Sequence, residues 1–214
     1  MIVTKIESQR GNTRRINLYI DGELAFGLHR AILLGQRVRE GAEVSAALLV
    51  RLQRLEELAL AEQRATRLLN HRLRSEHELR TRLLQEEFTP AAVSETLDRL
   101  KSLGYVDDDR FARAFIHDRL LKRSVGRVRL ANELRRKGLP GPLVASVLDE
   151  EVSATDELRR AETEGTKALR RYRGRRQDDA RLQRDRLMRF LVNRGFGWDV
   201  AAAAVRRLTG TEVE

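Results

Sequence analysis

The chain has 214 residues, of which 42 are Lys or Arg and 32 are Asp or Glu, a formal net charge of +10. It contains no Cys, which excludes disulfides, a thiol nucleophile and thiolate metal sites. With 35% charged and only 5% aromatic residues, the composition suits helices with solvated faces better than a thick β-core.

The opening segment lacks the apolar core of a signal peptide, and no run approaches the ~18 apolar residues of a membrane-spanning helix. A soluble, cytoplasmic protein without membrane contact is therefore expected. Ile16, Leu18 and Ile20 alternate with polar residues, Asp21-Gly22 follows, and Leu24, Phe26 and Leu28 alternate again. Asp-Gly between two period-2 runs predicts a β-hairpin, because Gly accepts the positive φ of a type I′ turn. Residues 2–6 can add a third strand, and a sheet this small needs a helix over its apolar face.

From Ser45 the period becomes helical. Leu48, Leu52, Leu55 and Ala59 form one stripe, and Ala61, Ala65, Leu68 and Leu69 continue the pattern. Ser75-x-x-Glu78 has the form of a capping box, and Thr89-Pro90 places a cap beside a proline at the first helical position. Gly104, Gly138 and Gly195 suit left-handed stop positions. Asp107-Asp108-Asp109 is a carboxylate cluster that reads as the start of a helix rather than a cation site.

Internal repetition organises the rest of the chain. Leu79, Leu83, Phe88, Val93 and Leu97 recur 51 positions later as Leu130, Leu134, Leu139, Val144 and Leu148. After a further 57 positions they recur as Leu187, Leu191, Phe196, Ala201 and Val205. Each copy reads as helix, tight turn, apolar anchor, new cap and helix, preceded by a further helical stretch at 61–73, 109–123 or 155–173. The predicted architecture is mainly α: three tandem three-helix repeats with a small N-terminal hairpin or three-stranded sheet. The predicted boundaries are 1–44 for the β-segment and a short helix, 45–57 for a connecting helix, and 58–107, 108–152 and 153–214 for the repeats. Core positions are Leu79, Leu83, Phe88, Tyr105, Phe111, Leu130, Leu134, Leu139, Leu187, Leu191, Phe196 and Trp198. Tyr105 and Phe111 are expected to bracket the junction between the first two repeats.

The longer second period places extra residues near 170–176, inside a basic stretch. Residues 159–194 carry 13 Lys or Arg against 5 Asp or Glu. Such a local field favours a polyanion, an acidic protein groove or an anionic lipid surface. Solvated surface arginine is the competing explanation, since 37 of the basic residues are Arg. No phosphate loop or dinucleotide turn is present, and His29, His71, His77 and His117 lack helical pairing with a carboxylate. No enzyme, metal or cofactor is indicated.

Three motifs in order suggest a family. Arg74-Ser75-Glu76-His77-Glu78-Leu79-Arg80 resembles the R-S-x-x-E-L-R signature of the RecX family. The stretch from Gly104 to Ala112, GYVDDDRFA, is similar to its G-Y-[LIV]-[DN]-D-x-R-F-A element. Residues 130–138, LANELRRKG, match its L-x-x-E-L-x-x-K-G element, and Leu18–Glu23 resembles its lead-in. The third repeat departs most, with Gly197-Trp198 at its turn and the basic insert upstream. The resemblance implies an elongated, curved array that regulates the RecA recombinase in recombination, repair and the SOS response. It implies binding in the groove of the RecA–single-stranded DNA filament, with inhibition of strand exchange and ATP hydrolysis and limited filament extension.

The candidate contacts to recombinase or phosphate are Arg72, Arg74, Arg119, Arg123, Arg127 and Arg129 in the first two repeats. In the third they are Arg170, Arg171, Arg173, Arg175 and Arg176. Their planar forks suit carboxylate or phosphate, and the 170–176 group is expected to touch DNA weakly. A monomer is expected. The rival reading is a helix-turn-helix-like protein that binds DNA directly.

Overall fold

A computed structural model describes residues 1–172 and 180–210. Strands β1 (Val3–Gln9), β2 (Asn12–Ile20) and β3 (Glu23–His29) form an antiparallel sheet in the order β1-β2-β3. Ile20 pairs with Glu23 across Asp21 and Gly22, whose φ values of 50° and 91° are both left-handed, as a type I′ turn requires. Val3, Ile16, Leu18 and Leu28 are buried from the sheet, with Leu33 of α1 (Arg30–Gly35) and Leu52 of α2 (Ala46–His71) against them. Leu24 departs from the expected alternation and is exposed. The β2–β3 register shifts between Leu18 and Tyr19, pairing Tyr19 with Leu24 beside the turn.

One polar group ties this sheet to α2. Glu56 is buried and accepts from the His29 backbone N–H at 2.6 Å, from Arg15 Nη1 at 2.7 Å, and pairs with His29 Nδ1 at 2.9 Å. Helix α2 itself is continuous, where two helices were expected at 45–57 and 61–73. No Gly or Pro stands between Gly41 and Pro90, so nothing breaks it. Ser45 caps it by accepting from the Leu48 N–H.

Helices α3 (Glu76–Gln85) and α4 (Pro90–Ser102) complete the first three-helix group with the end of α2. The second group is α5 (Asp108–Lys122), α6 (Arg127–Arg136) and α7 (Gly141–Glu151). The third is α8 (Ala154–Tyr172), α9 (Ala180–Asn193) and α10 (Trp198–Thr209). Each group has its own apolar cluster. The repeated apolar columns are all buried except Phe88, which is half-buried.

The tight turns are built alike. Phe88, Leu139 and Phe196 each donate a backbone N–H to the carbonyl of Leu83, Leu134 and Leu191, respectively, at 3.2–3.3 Å. The residue before each anchor is left-handed: Glu87 (φ 66°), Gly138 (φ 83°) and Gly195 (φ 85°). Phe111 is buried, but Tyr105 and Trp198 are 64% and 62% exposed, against the expectation that both are core. After left-handed Gly104 it is Val106 that enters the first core, which leaves the Tyr105 ring outside. At the third turn Phe196 already fills the gap. Trp198 opens α10, and its Cα–Cβ bond tilts toward the helix start, away from the layer holding Ala201 and Val205.

The chain divides into two compact units: residues 1–73 with 79–106, and residues 74–78 with the described residues from Asp107 onward. The second unit contains the same junction twice. At residues 75–78, Ser75 Oγ accepts from the Glu78 N–H at 3.1 Å and donates to the Lys137 carbonyl at 2.7 Å. The Glu76 N–H goes to Asp108 Oδ1 at 2.8 Å. At the start of α6, the Gly126 N–H donates to the Arg194 carbonyl at 3.2 Å and the Val128 N–H to the Gly195 carbonyl at 3.0 Å. The Arg127 N–H goes to Glu157 Oε1 at 2.7 Å. In both places a helix start rests on a glycine turn, and a carboxylate from another helix's first turn takes its first free N–H.

Contact is close enough to exclude a side chain. A Cβ on Gly138 would stand 2.2 Å from the His77 Cβ, and one on Gly195 would stand 2.2 Å from the Arg129 Cβ. Gly138→Ala combines left-handed strain with overpacking and should destabilise the protein by about 2–4 kcal/mol. Glu87→Gly relieves strain at the matching position and should be neutral or stabilising. Urea unfolding of the two variants checks this contrast, and equal effects would count against the junction.

Candidate polyanion interface

The junctions and short helices of the second unit position most of the candidate arginines. Arg119, on the last turn of α5, donates through Nε to Glu133 Oε2 at 2.7 Å and lies over the Phe115 ring at 4.9 Å. Arg129 on α6 reaches the other oxygen of Glu133 at 3.2 Å. Glu133 thus brings two candidates together. Burial alone would raise its pKa, but the hydrogen bonds from Arg129 and Arg119 outweigh this and hold it below the ordinary value of 4.5. Arg127 pairs with Asp149 of α7 while its backbone N–H is taken by Glu157. These three guanidinium groups already have carboxylate partners.

The other candidates stand differently. Arg72 caps α2, is exposed, and donates through Nη1 to the Leu73 carbonyl at 2.8 Å. Arg74 is half-buried. Arg123, the C-cap of α5, is exposed, as are Arg170 and Arg171 in the last turn of α8. None of these last three has a side-chain partner among the described residues. Arg173, Arg175 and Arg176 lie outside the described residues.

The Asp107–Asp109 run is committed to structure. Asp107 accepts from the Arg110 N–H at 3.0 Å, Asp108 from the Glu76 N–H, and Asp109 pairs with Arg113 at 2.6 Å. Among the described residues no group of three His, Asp or Glu could hold a metal ion. No described helix is long and apolar enough to cross a membrane.

Several residues that matter here carry no distinct signal in the sequence. Arg113 clamps Asp109, Glu150 and Glu151, the last two at 2.7 Å, and so joins α5 to α7. Glu133 sits in a quoted motif, and Glu157 two residues inside a helix start, but neither pattern reveals its partner. A carboxylate four residues from an Arg flags the Arg113–Asp109 and Arg129–Glu133 pairs, not the contacts between helices.

Comparison with known proteins agrees with this architecture. A regulatory protein RecX N-terminal domain model matches residues 1–45. Models of the first, second and third RecX three-helix domains match 61–100, 107–148 and 155–205. The Regulatory protein RecX of Clostridium beijerinckii is 24% identical over 214 residues, covering 99% of this chain and 98% of its own length. That of Bacillus subtilis is 28% identical over 210 residues, covering 96% of this chain and 76% of its own. A crystal structure of regulatory protein RecX has the same fold, with a TM-score of 0.76 at 23% identity over 93% of this chain and 96% of that one. RecX from Lactobacillus salivarius gives 0.68 at 18% identity over 73% and 99%.

Fold and surface together define a helical repeat protein with an N-terminal sheet and an arginine-rich exterior. In-order matches to all four domain models make the assignment specific. The chain belongs to the RecX family of regulatory proteins.

The lowered pKa of Glu133 fixes the sign of an acid effect. Its contribution to stability is present above the ordinary value of 4.5 and is lost as pH falls through the lowered one. Glu133→Gln should cost about 1 kcal/mol near neutrality and flatten the decline in stability below about pH 4.5. Chemical denaturation across this pH range measures both effects.

Proposed function

We propose that this protein regulates RecA by binding the RecA–single-stranded DNA filament, lowering strand exchange and ATP hydrolysis and limiting filament extension. The observation that carries the reading is the match to RecX relatives along almost the whole chain. Physical chemistry is consistent with it. A filament of recombinase on DNA offers carboxylates and phosphates, and guanidinium forks bind either bidentately. Small helical repeats display such groups over a long surface at modest chain length.

Ion pairing in the fold sorts the candidates. Arg119, Arg127 and Arg129 would have to leave Glu133 or Asp149 to meet a partner. Arg123, Arg170 and Arg171 need no such exchange, and Arg173, Arg175 and Arg176 continue the same charge in sequence. The third-repeat group is therefore assigned the principal contact and weak association with DNA. Arg72, Arg74, Arg119, Arg127 and Arg129 are assigned supporting roles.

The first assay is single-stranded-DNA-dependent ATP hydrolysis by RecA, with this protein titrated below the RecA concentration. Binding to the same DNA without RecA is the control. Inhibition well below one protein per RecA, with weak binding to DNA alone, is the expected result. No inhibition, together with tight and salt-sensitive DNA binding, would favour a direct DNA reader instead. Replacing Arg170, Arg171, Arg173, Arg175 and Arg176 with Ala should weaken inhibition about tenfold or more while leaving helix content unchanged. Full inhibition by that variant would remove the cluster from the mechanism.

A further inference from the structure

Arg160, on α8, is a charge in an unusual place. The shared roles of Asp108 and Glu157, and the fully buried Ala112 and Ala161, align α8 with α5. In that alignment Arg160 takes the position of Phe111, a buried core residue of the second repeat. The Nε and Nη2 atoms of Arg160, the edge a guanidinium uses for bidentate contact, are covered and donate to nothing among the described residues. Burial pulls its pKa down, with Glu157 and Asp156 only partly opposing this.

Glu157 and Asp156 are the nearby carboxylates; neither accepts from the covered Arg160 nitrogens, and each already has another partner. Glu157 takes the Arg127 N–H, and Asp156 faces Ser153 Oγ at 2.8 Å and Arg159 at 3.5 Å. Arg160 as a whole is half-buried, but covering two guanidinium nitrogens without an acceptor is costly, and a repeat that only needed a core would keep an apolar side chain here.

Beside Arg160 lies a cavity of about 230 Å³ lined by Ser124, Asp156, Arg159, Arg160 and Thr163. It offers two guanidinium groups and the Ser124 hydroxyl, which makes no hydrogen bond among the described residues. Thr163 Oγ1 donates to the Arg159 carbonyl at 2.9 Å. Arg170 lies about three turns further along the same face of α8.

We propose that this cavity is a phosphate-oxyanion site in which Arg160 is the principal ligand, with Arg159 and Ser124 completing it. An entering phosphate meets the exposed Arg159 first. Rotation about the last side-chain bonds of Arg160 then brings its unpaired edge to the oxyanion. Two guanidinium groups and a hydroxyl supply more donors than one carboxylate can accept, whereas the several oxygens of a phosphate can use them all. The source is either a phosphodiester backbone or free phosphate. The inference does not depend on RecA regulation, since it concerns what the cavity binds.

The test compares the full-length protein with Arg160→Met in a buffer free of oxyanions. Inorganic phosphate should raise the thermal midpoint of the parent protein beyond the effect of chloride at equal ionic strength. It should also shift the side-chain Nε resonance of Arg160. The variant should unfold no earlier than the parent without phosphate and gain nothing from phosphate. A short oligothymidylate separates the sources: if a phosphodiester is bound, the variant's log–log salt slope for binding should fall by about 1. An unchanged slope with an Arg160-dependent phosphate response assigns free phosphate. The proposal fails if phosphate acts no differently from chloride, if the variant keeps the phosphate response, or if the variant unfolds markedly earlier than the parent without ligand.

Discussion

A helix start resting on a glycine turn is the constraint on which the second unit depends. It occurs where residues 75–78 meet Lys137-Gly138 and where residues 126–129 meet Arg194-Gly195. Either contact requires backbone to approach where a Cβ would overlap, so the glycine serves the approach as well as the left-handed turn. The first N–H of each docked helix is received by a carboxylate from the opening turn of another helix, Asp108 or Glu157. A backbone donor that water would otherwise satisfy becomes a fixed link between helices.

This constraint also explains what varies. Ser75 uses its hydroxyl to reach the next turn, while its counterpart Gly126 uses its own N–H because the backbone comes closer. The first-repeat turn carries Glu87 in the left-handed conformation where the others carry glycine. A residue with a side chain tolerates that conformation at a modest strain energy, but it could not tolerate the approach made at Gly138 or Gly195. Glu87 thus fits a turn whose neighbouring Glu86 and Thr89 are tied instead to Arg64 and Glu57 of α2.

Period and punctuation in the sequence report on local structure, and most of the fold is legible there. The hairpin at Asp21-Gly22, the stop glycines and the apolar columns follow from φ preferences and helical spacing, which act within a few residues. Tyr105 and Trp198 stand outside the core although an aromatic residue near a turn is ordinarily inside it, and no local pattern tells which of two neighbouring apolar residues turns inward. Val106 and Phe196 took those places. The long-range roles of Glu56, Glu133 and Glu157 are not legible for a different reason. Their partners, His29, Arg119 and Arg127, are 14 to 30 residues away, and hydropathy gives no hint of a carboxylate buried to satisfy a distant donor.

The arginine surface shows why charge counting alone cannot locate an interface. Arg119, Arg127 and Arg129 contribute to the positive balance, yet each pairs with a carboxylate within its own fold, and recruiting one to a partner would take it from Glu133 or Asp149. Exposed Arg170 and Arg171 have no carboxylate partner among the described residues. Arg160 is a third case, with Nε and Nη2 covered and bonded to nothing among the described residues. Ranking basic residues by what they must give up therefore separates groups that hold the repeats together from groups that need leave no carboxylate to meet another anion. Arg160, Arg170 and Arg171 lie on α8, the helix that leads into the most basic stretch of the sequence.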